Sequence, residues 1–270
     1  DRQRRYRDFT RHELHEVLHR VIVSFGVYRP YARPETGDVS EQDVTVTTQA
    51  VERAKTRLHE VDARLFDFLR DILLLRVRGE LEDSLVLRFQ QLTGPVMAKG
   101  LEDTAFYCYN RLISLNEVGG NPDWFGCSLE EFHQRCMYMQ EHWPKSLLAT
   151  ATHDTKRGED ARLRIGLLSE TPQAWASAVQ TWSNMNQRYR RDGLPEPNAE
   201  YLFYQTLVGA WPLDIDRAVA FMSKASREAK VRTSWIDPDP EYDRALRGFV
   251  EGTLSDDAFC TSMEQFVAPL

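Results

Sequence analysis

The stretch Ser146–Asp160, SLLATATHDTKRGED, governs how the rest of the chain is read. A short apolar run, Leu147–Thr152, breaks off in His153-Asp154-Thr155-Lys156-Arg157 and is followed by a helical pattern. Such a run, bounded by a charged turn, predicts a buried strand feeding a loop. In barrel and open-sheet α/β folds, chemistry sits where strands of this kind end. A His-Asp pair at that place can hold a substrate hydroxyl and stabilise a positive charge. The plainer alternative is a His153–Asp154 hydrogen bond, with Lys156 and Arg157 as solvated charges. Position alone leaves both open, although perturbed carboxylates do cluster at such sites.

Outward from this stretch, almost everything reads as helix. Thr10-Arg11-His12-Glu13 is a capping-box pattern, and Leu14, Val17, Leu18, Val21 and Ile22 follow at helical spacing. Gly26 and the proline-rich Tyr28–Pro34 end that helix. Ser40-Glu41-Gln42-Asp43 opens a long helical stretch to about Leu75, interrupted near Asp62. Its stripes are Val51, Ala54, Leu58 and Val61, then Leu65, Phe68, Leu69, Ile72 and Leu73. A further helix runs from Glu80 to Gln91, where Gly94-Pro95 should stop it. Val96 to Pro122 lacks a clean period and reads as loop with short helical turns. Beyond it, helices are expected over Leu129–Glu141, Glu159–Ser169, Trp175–Arg190, Tyr201–Trp211 and Asp214–Lys230, and two short ones finish the chain. One strand in a mainly α chain cannot make a sheet. Either it pairs with strands the pattern hides, or its sheet is built by sequence not present here.

Composition sets the class. The chain has 270 residues, 42% hydrophobic and 28% charged, as a soluble globular protein has. A net charge of −7 does not favour a nucleic-acid surface. No apolar run approaches the roughly 18 residues of a membrane span. Cys108, Cys127, Cys136 and Cys260 show no C-x-x-C spacing, and the N-terminus DRQRRYRDF is no signal peptide, so the expected setting is cytoplasmic. The chain starts with Asp rather than Met, which processing or excision from a longer protein would explain.

Two stretches besides the opening one could carry chemistry. His15-Glu16-Val17-Leu18-His19 matches H-E-x-x-H on a predicted helix, the spacing by which two imidazoles hold zinc with the Glu as base. The extended motif needs a Gly and a third His where Ile22 and Phe25 stand. The other reading is a surface face with His12, His15 and His19 solvated, so no metal is expected. Arg88–Pro122, RFQQLTGPVMAKGLEDTAFYCYNRLISLNEVGGNP, mixes amides, charges and aromatic rings with glycines. Rings stack on sugar faces and polar groups bind hydroxyls, so this stretch suits a polyol. A polar network holding two domains together is the alternative. Trp175, Trp182, Tyr189, Tyr201, Tyr204 and Trp211 are better read as core than as an aromatic platform. Neither a phosphate-binding Gly-rich loop nor a G-x-S-x-G element is present.

Arg88–Pro122, THDTKRGEDARLRIGLLSE, YLFYQTLVGAWP and KASREAKVRTSW together resemble successive blocks of the maltooligosyltrehalose synthases, of the α-amylase clan of glycoside hydrolases. The resemblance runs from about Asp8 to the C-terminus. It implies a (β/α)₈ barrel with helical insertions, of which this chain would hold the helical region and at most one or two short barrel strands, at about 146–153. It also implies an activity: conversion of the reducing-end α-1,4 bond of a maltooligosaccharide to an α,α-1,1 bond by intramolecular transglucosylation, without a cofactor. Residues 1–145 would be helical insertion and substrate-facing loops, 146–170 the seventh strand, catalytic loop and helix start, and 171–270 a helical region. Asp154 would be the carboxylate that stabilises the transition state, and His153 would bind a hydroxyl at the cleaved bond. Apart from the resemblance, the polarity of their loops makes Lys99, Glu102, Lys156 and Arg157 candidates for positioning the leaving glucose, and Arg88, Asn116 and Glu117 further candidate substrate contacts. The family pattern departs at Cys108, where Arg is expected, and at Gly158, where Ser is expected.

Retaining chemistry needs a nucleophilic carboxylate and a general acid roughly 5 Å apart. The resemblance puts both on strands upstream of Asp1 and the eighth strand after Leu270. The expectation is therefore an internal fragment, inactive by itself, whose partners are the oligosaccharide and the rest of the parent enzyme, with no nucleic acid and no membrane. A stand-alone helical carbohydrate-binding module, and a zinc hydrolase on His15, Glu16 and His19, are the alternatives.

Overall fold

The computed structural model describes residues 8–57 and 62–270. Leu58 and Val61 of the predicted stripe lie outside the described residues. The chain forms two compact units, 1–101 and 102–270. This division by packing falls elsewhere than the expected breaks at 145 and 170, which follow the resemblance.

In the first unit, α1 (Arg11–Ile22) starts in the predicted capping box: the Glu13 amide donates to Thr10 Oγ1 at 3.2 Å and the Thr10 amide to Glu13 Oε2 at 2.7 Å. Reciprocal bonds of this kind satisfy amides that no helical turn can reach. Helix α2 (Glu41–Arg57) begins the same way, with Ser40 and Asp43 bonding each other's amides at 3.1 Å. Helix α3 (Ala63–Leu73) has Asp62 as its N-cap, so the predicted interruption is a helix start. Val17, Val21, Ala50, Val51, Leu65 and Phe66 are buried together, with Phe25 and Phe89 in edge contact at 5.3 Å.

Helix α4 (Glu80–Met97) does not stop at Gly94-Pro95 as the sequence suggests. Pro95 removes one intrahelical bond, but the chain then widens into a π-helix, Ala98–Ala105. Bonds from i to i+5 have no 3.6-residue period, which is why this stretch reads as loop. The two units divide inside this π-helix.

The second unit continues with α5 (Phe106–Cys108), a 3₁₀ turn at Ile113–Leu115, α6 (Leu129–His142) and α7 (Glu159–Leu167). Then come α8 (Pro172–Asn186), a 3₁₀ turn at Gln187–Tyr189, α9 (Pro197–Ala210), α10 (Ile215–Ala229), α11 (Pro240–Leu254) and α12 (Asp257–Val267). Helix α9 is the centre of this unit. Its buried Phe203 and Tyr204 meet Phe249, Trp182 and Phe259 at ring separations of 5.4–6.0 Å. Trp175 and Trp182 are buried in the same core, as expected, while Tyr189, Tyr201 and Trp211 pack at its edge. Gly209 lets α7 approach: a Cβ there would stand 2.7 Å from Ile165 Cδ1.

The predicted strand is not formed. Residues 146–153 are irregular, and Leu147 and Leu148 are 100% and 89% exposed rather than buried. A strand's N–H and C=O groups need neighbouring strands. Among the described residues the only β contacts are isolated bridges, Arg33–Asp38 and Arg191–Leu194. The apolar run therefore has nothing here to pair with or pack on.

Candidate functional site

His153 and Asp154 sit on an exposed turn. The turn is closed by Thr155, whose hydroxyl donates to the Thr152 carbonyl at 2.8 Å, while the Asp154 amide points to Thr152 Oγ1 at 3.3 Å. Just beyond Asp154 the chain is fastened to a buried network. The amides of Lys156 and Arg157 donate to the two oxygens of Glu117, at 2.7 and 3.2 Å. The Arg157 guanidinium donates to the Ile113 carbonyl at 3.1 Å. The Lys156 ammonium pairs with Asp103 of the π-helix.

The loop that presents Glu117 is built locally. Asn116 donates to the carbonyls of Phe106 and Tyr109 at 2.9 and 2.7 Å. The Gly119 amide donates to Glu102 Oε1 at 3.1 Å. Gly119 has φ +70°, the left-handed region. Gly120 is needed for close approach, because a Cβ there would lie 2.5 Å from the Leu115 carbonyl oxygen.

Electrostatics follow from burial. Desolvation pulls the Arg157 guanidinium below its usual pKa, against the pull of Tyr107 and Glu117. Desolvation works on Lys156 in the same sense, but the hydrogen bond and charge of Asp103 outweigh it and raise the ammonium above the ordinary lysine value. Burial also pushes the Tyr107 phenol up, opposed by Lys156 and Arg157.

The structure thus brings Glu102, Asn116, Glu117, Lys156 and Arg157 into one network whose polar groups bond mainly to each other and to backbone. His153 and Asp154 stand outside it, open to solvent. Arg88 and Lys99 are exposed residues of the first unit, on α4 and the π-helix. Asp103 and Gly120 also belong to the network. Asp103 had a legible signal in its place in the same polar stretch, whereas the role of Gly120 depends on a contact that no local pattern shows.

The remaining candidates fall elsewhere. His15 and His19 lie one turn apart on α1 with near-parallel rings at 6.5 Å. No group of three His, Cys, Asp or Glu able to hold a metal occurs among the described residues, so the motif gains no third ligand here. The Cys108 thiol donates to the Ala229 carbonyl at 3.4 Å, and burial pushes its pKa up. Gly158 is the N-cap of α7 in extended backbone with open space around it, so the Ser expected there would fit and could cap the helix.

No family model matches the chain. Two curated relatives do, both described as putative maltooligosyl trehalose synthases, from two strains of Mycobacterium tuberculosis. Each is 38% identical over 177 residues, which is 62% of this chain and 22% of the relative. The structure of maltooligosyltrehalose synthase from Arthrobacter ramosus superposes with a TM-score of 0.82 at 32% identity, over 95% of this chain and 31% of that one. The likeness is to the maltooligosyltrehalose synthases. A hypothetical maltooligosyl trehalose synthase from Sulfolobus tokodaii agrees, with a TM-score of 0.74 at 29% identity over 94% of this chain and 32% of that one. The mainly helical chain thus matches part of a much larger synthase, as the quoted blocks led one to expect. It spans between 22% and 32% of the length of these relatives.

Proposed function

We propose that the chain is the helical part of a maltooligosyltrehalose synthase and contributes one catalytic carboxylate, Asp154, to an active site completed by the rest of that enzyme. The observation that carries this reading is the fold match to a synthase over 95% of the chain, joined to an exposed His153-Asp154 turn anchored on buried structure. In the proposed reaction a nucleophilic carboxylate from the remainder displaces the reducing-end glucose, which is protonated as it leaves, and forms a glycosyl-enzyme. The released glucose turns, and its anomeric hydroxyl attacks the same carbon, giving its proton to the group that served as acid and breaking the bond to the nucleophilic carboxylate, to give the α,α-1,1 bond. Asp154 stabilises the positive charge that develops in both steps, and His153 holds a hydroxyl of the sugar at the cleaved bond. Water must be kept out for glucose to win this competition.

Helix α6 supports the same reading. It buries none of its residues, and Trp124, Phe132, Met137 and Trp143 on and beside it are more than half exposed. Such a surface suits cover by the remainder of a larger enzyme. None of the helices described is long and apolar enough to cross a membrane. All four cysteines are free, which suits a reducing cytoplasm.

The test is loss of reducing ends from maltopentaose. The 270-residue chain alone should cause none, beside a full-length synthase that does. A chimera in which this chain replaces the matching part of the Arthrobacter ramosus enzyme should regain the conversion, and Asp154→Asn in it should lower the rate by about 10²–10³-fold. Conversion by the isolated chain, or an unaffected Asp154→Asn chimera, would overturn the assignment.

A further inference from the structure

Glu117 looks like a sugar ligand in the sequence, but its surroundings point to another task. It is buried, at 9% exposure. Oε1 accepts the amides of Val118 at 2.8 Å and Lys156 at 2.7 Å, and Oε2 accepts the amide of Arg157 at 3.2 Å. A carboxylate offers about four acceptor positions, so three amides leave little for a substrate. Two of these amides come from a segment about forty residues further along the chain. They begin two residues after Asp154.

We propose that Glu117 is a positioning residue, whose carboxylate grips the Lys156 and Arg157 amides and so sets the place and direction of the His153-Asp154 turn. Arg157 completes the grip from the other side, since its guanidinium holds the Ile113 carbonyl of the same loop. Glu102 braces the far end of that loop through the Gly119 amide. The reason for a carboxylate is geometric. Two successive amides converge on two oxygens of one planar group, and bonds to an ionised acceptor are shorter and stronger than neutral ones. The bonds within the turn run through Thr152 and Thr155, so its direction depends on how the chain just beyond it is held. Displacement of a reacting group by about 1 Å can cost on the order of 10² in rate. Glu117 touches no reacting atom in this scheme and acts through the backbone.

The role in catalysis rests on the function proposed above, so the test has two arms. The first uses the 270-residue chain and reads amide hydrogen exchange. Glu117→Gln keeps one oxygen and turns the other into a donor, so exchange at Lys156 or Arg157 should rise about tenfold or more, while the α9 amides stay as they were. Glu117→Asp, which keeps the charge on a shorter arm, should restore part of the protection. Unchanged exchange at both amides in Glu117→Gln would overturn the grip. The second arm uses the synthase chimera. Glu117→Gln should lower kcat about tenfold or more with KM nearly unchanged. A rise in KM at constant kcat would mean that Glu117 binds sugar after all, and would overturn the positioning role. An inactive parent chimera would count against the proposed function, while the exchange arm still judges the grip.

Discussion

Helices α6 and α9 have the same length, 14 residues, and opposite fates. Helix α6 carries every local sign of a helix: Ser128 and Glu131 form a complete capping box, acids open the first turn, and His142 closes the last. It buries nothing. Helix α9 has no side-chain cap, starts at Pro197, and buries most of its residues between Ala199 and Gly209. Local chemistry decides that α6 is a helix, and tertiary packing decides that α9 is the centre of its unit. The difference matters for function, because the His153-Asp154 turn is exposed like α6 but is tied, through the Lys156 and Arg157 amides, to the buried Glu117.

The largest expected effect separates the two helices directly. Phe203→Ala removes a fully buried ring from α9 and should destabilise the second unit by about 3–5 kcal/mol. Phe132→Ala on α6, where the ring is 53% exposed, should change it by no more than about 0.5 kcal/mol. Denaturant midpoints of the two variants give the answer, and equal shifts would break the comparison.

A smaller effect probes the tie between the turn and the packed side. Asp103→Asn removes the partner of Lys156, whose side chains are 21% and 13% exposed, and should cost ~1–2 kcal/mol at neutral pH. The sign with pH follows from the raised lysine pKa. A raised folded value stabilises below the unfolded value of 10.5 and loses that contribution as pH climbs through the folded one. Urea titrations of wild type and variant should therefore differ by a constant amount from about pH 6 to about pH 10 and converge above it. A gap that closes between pH 6 and 8 instead would place the coupling on another group.

The smallest effect sharpens the account of α6. Ser128→Ala removes a cap worth about 1 kcal/mol. A helix of 14 residues without a packed face is marginal in water. Amide exchange in α6 should then quicken while the global unfolding midpoint stays put. A shift of the midpoint would show that α6 is packed after all.

Much of the helical pattern was legible because it is local. Thr10–Glu13 and Ser40–Asp43 mark helix starts by side-chain hydrogen bonds that reach only three residues, and both are found where the spacing puts them, while Asp62, read only as an interruption, caps α3. The π-helix was not legible, because its wider turn erases the period that a helix is read by. The expected strand at 147–152 is not formed for a related reason. An apolar run reports that a segment wants cover, and cannot report whether the cover is present among the described residues. The candidate site divided along the same line. His153 and Asp154 were visible as a pattern, whereas Glu117 showed only its charge.

What the sequence determined by itself is the mainly helical character, the caps, and the blocks that resemble one enzyme family, all carried by neighbours along the chain. The tertiary structure decided which apolar residues are core, and that Glu117 and Arg157 face inward to hold a loop. Those outcomes depend on contacts between residues as far apart as Ile113 and Arg157, and on whether a surface finds another to bury it, neither of which local spacing encodes.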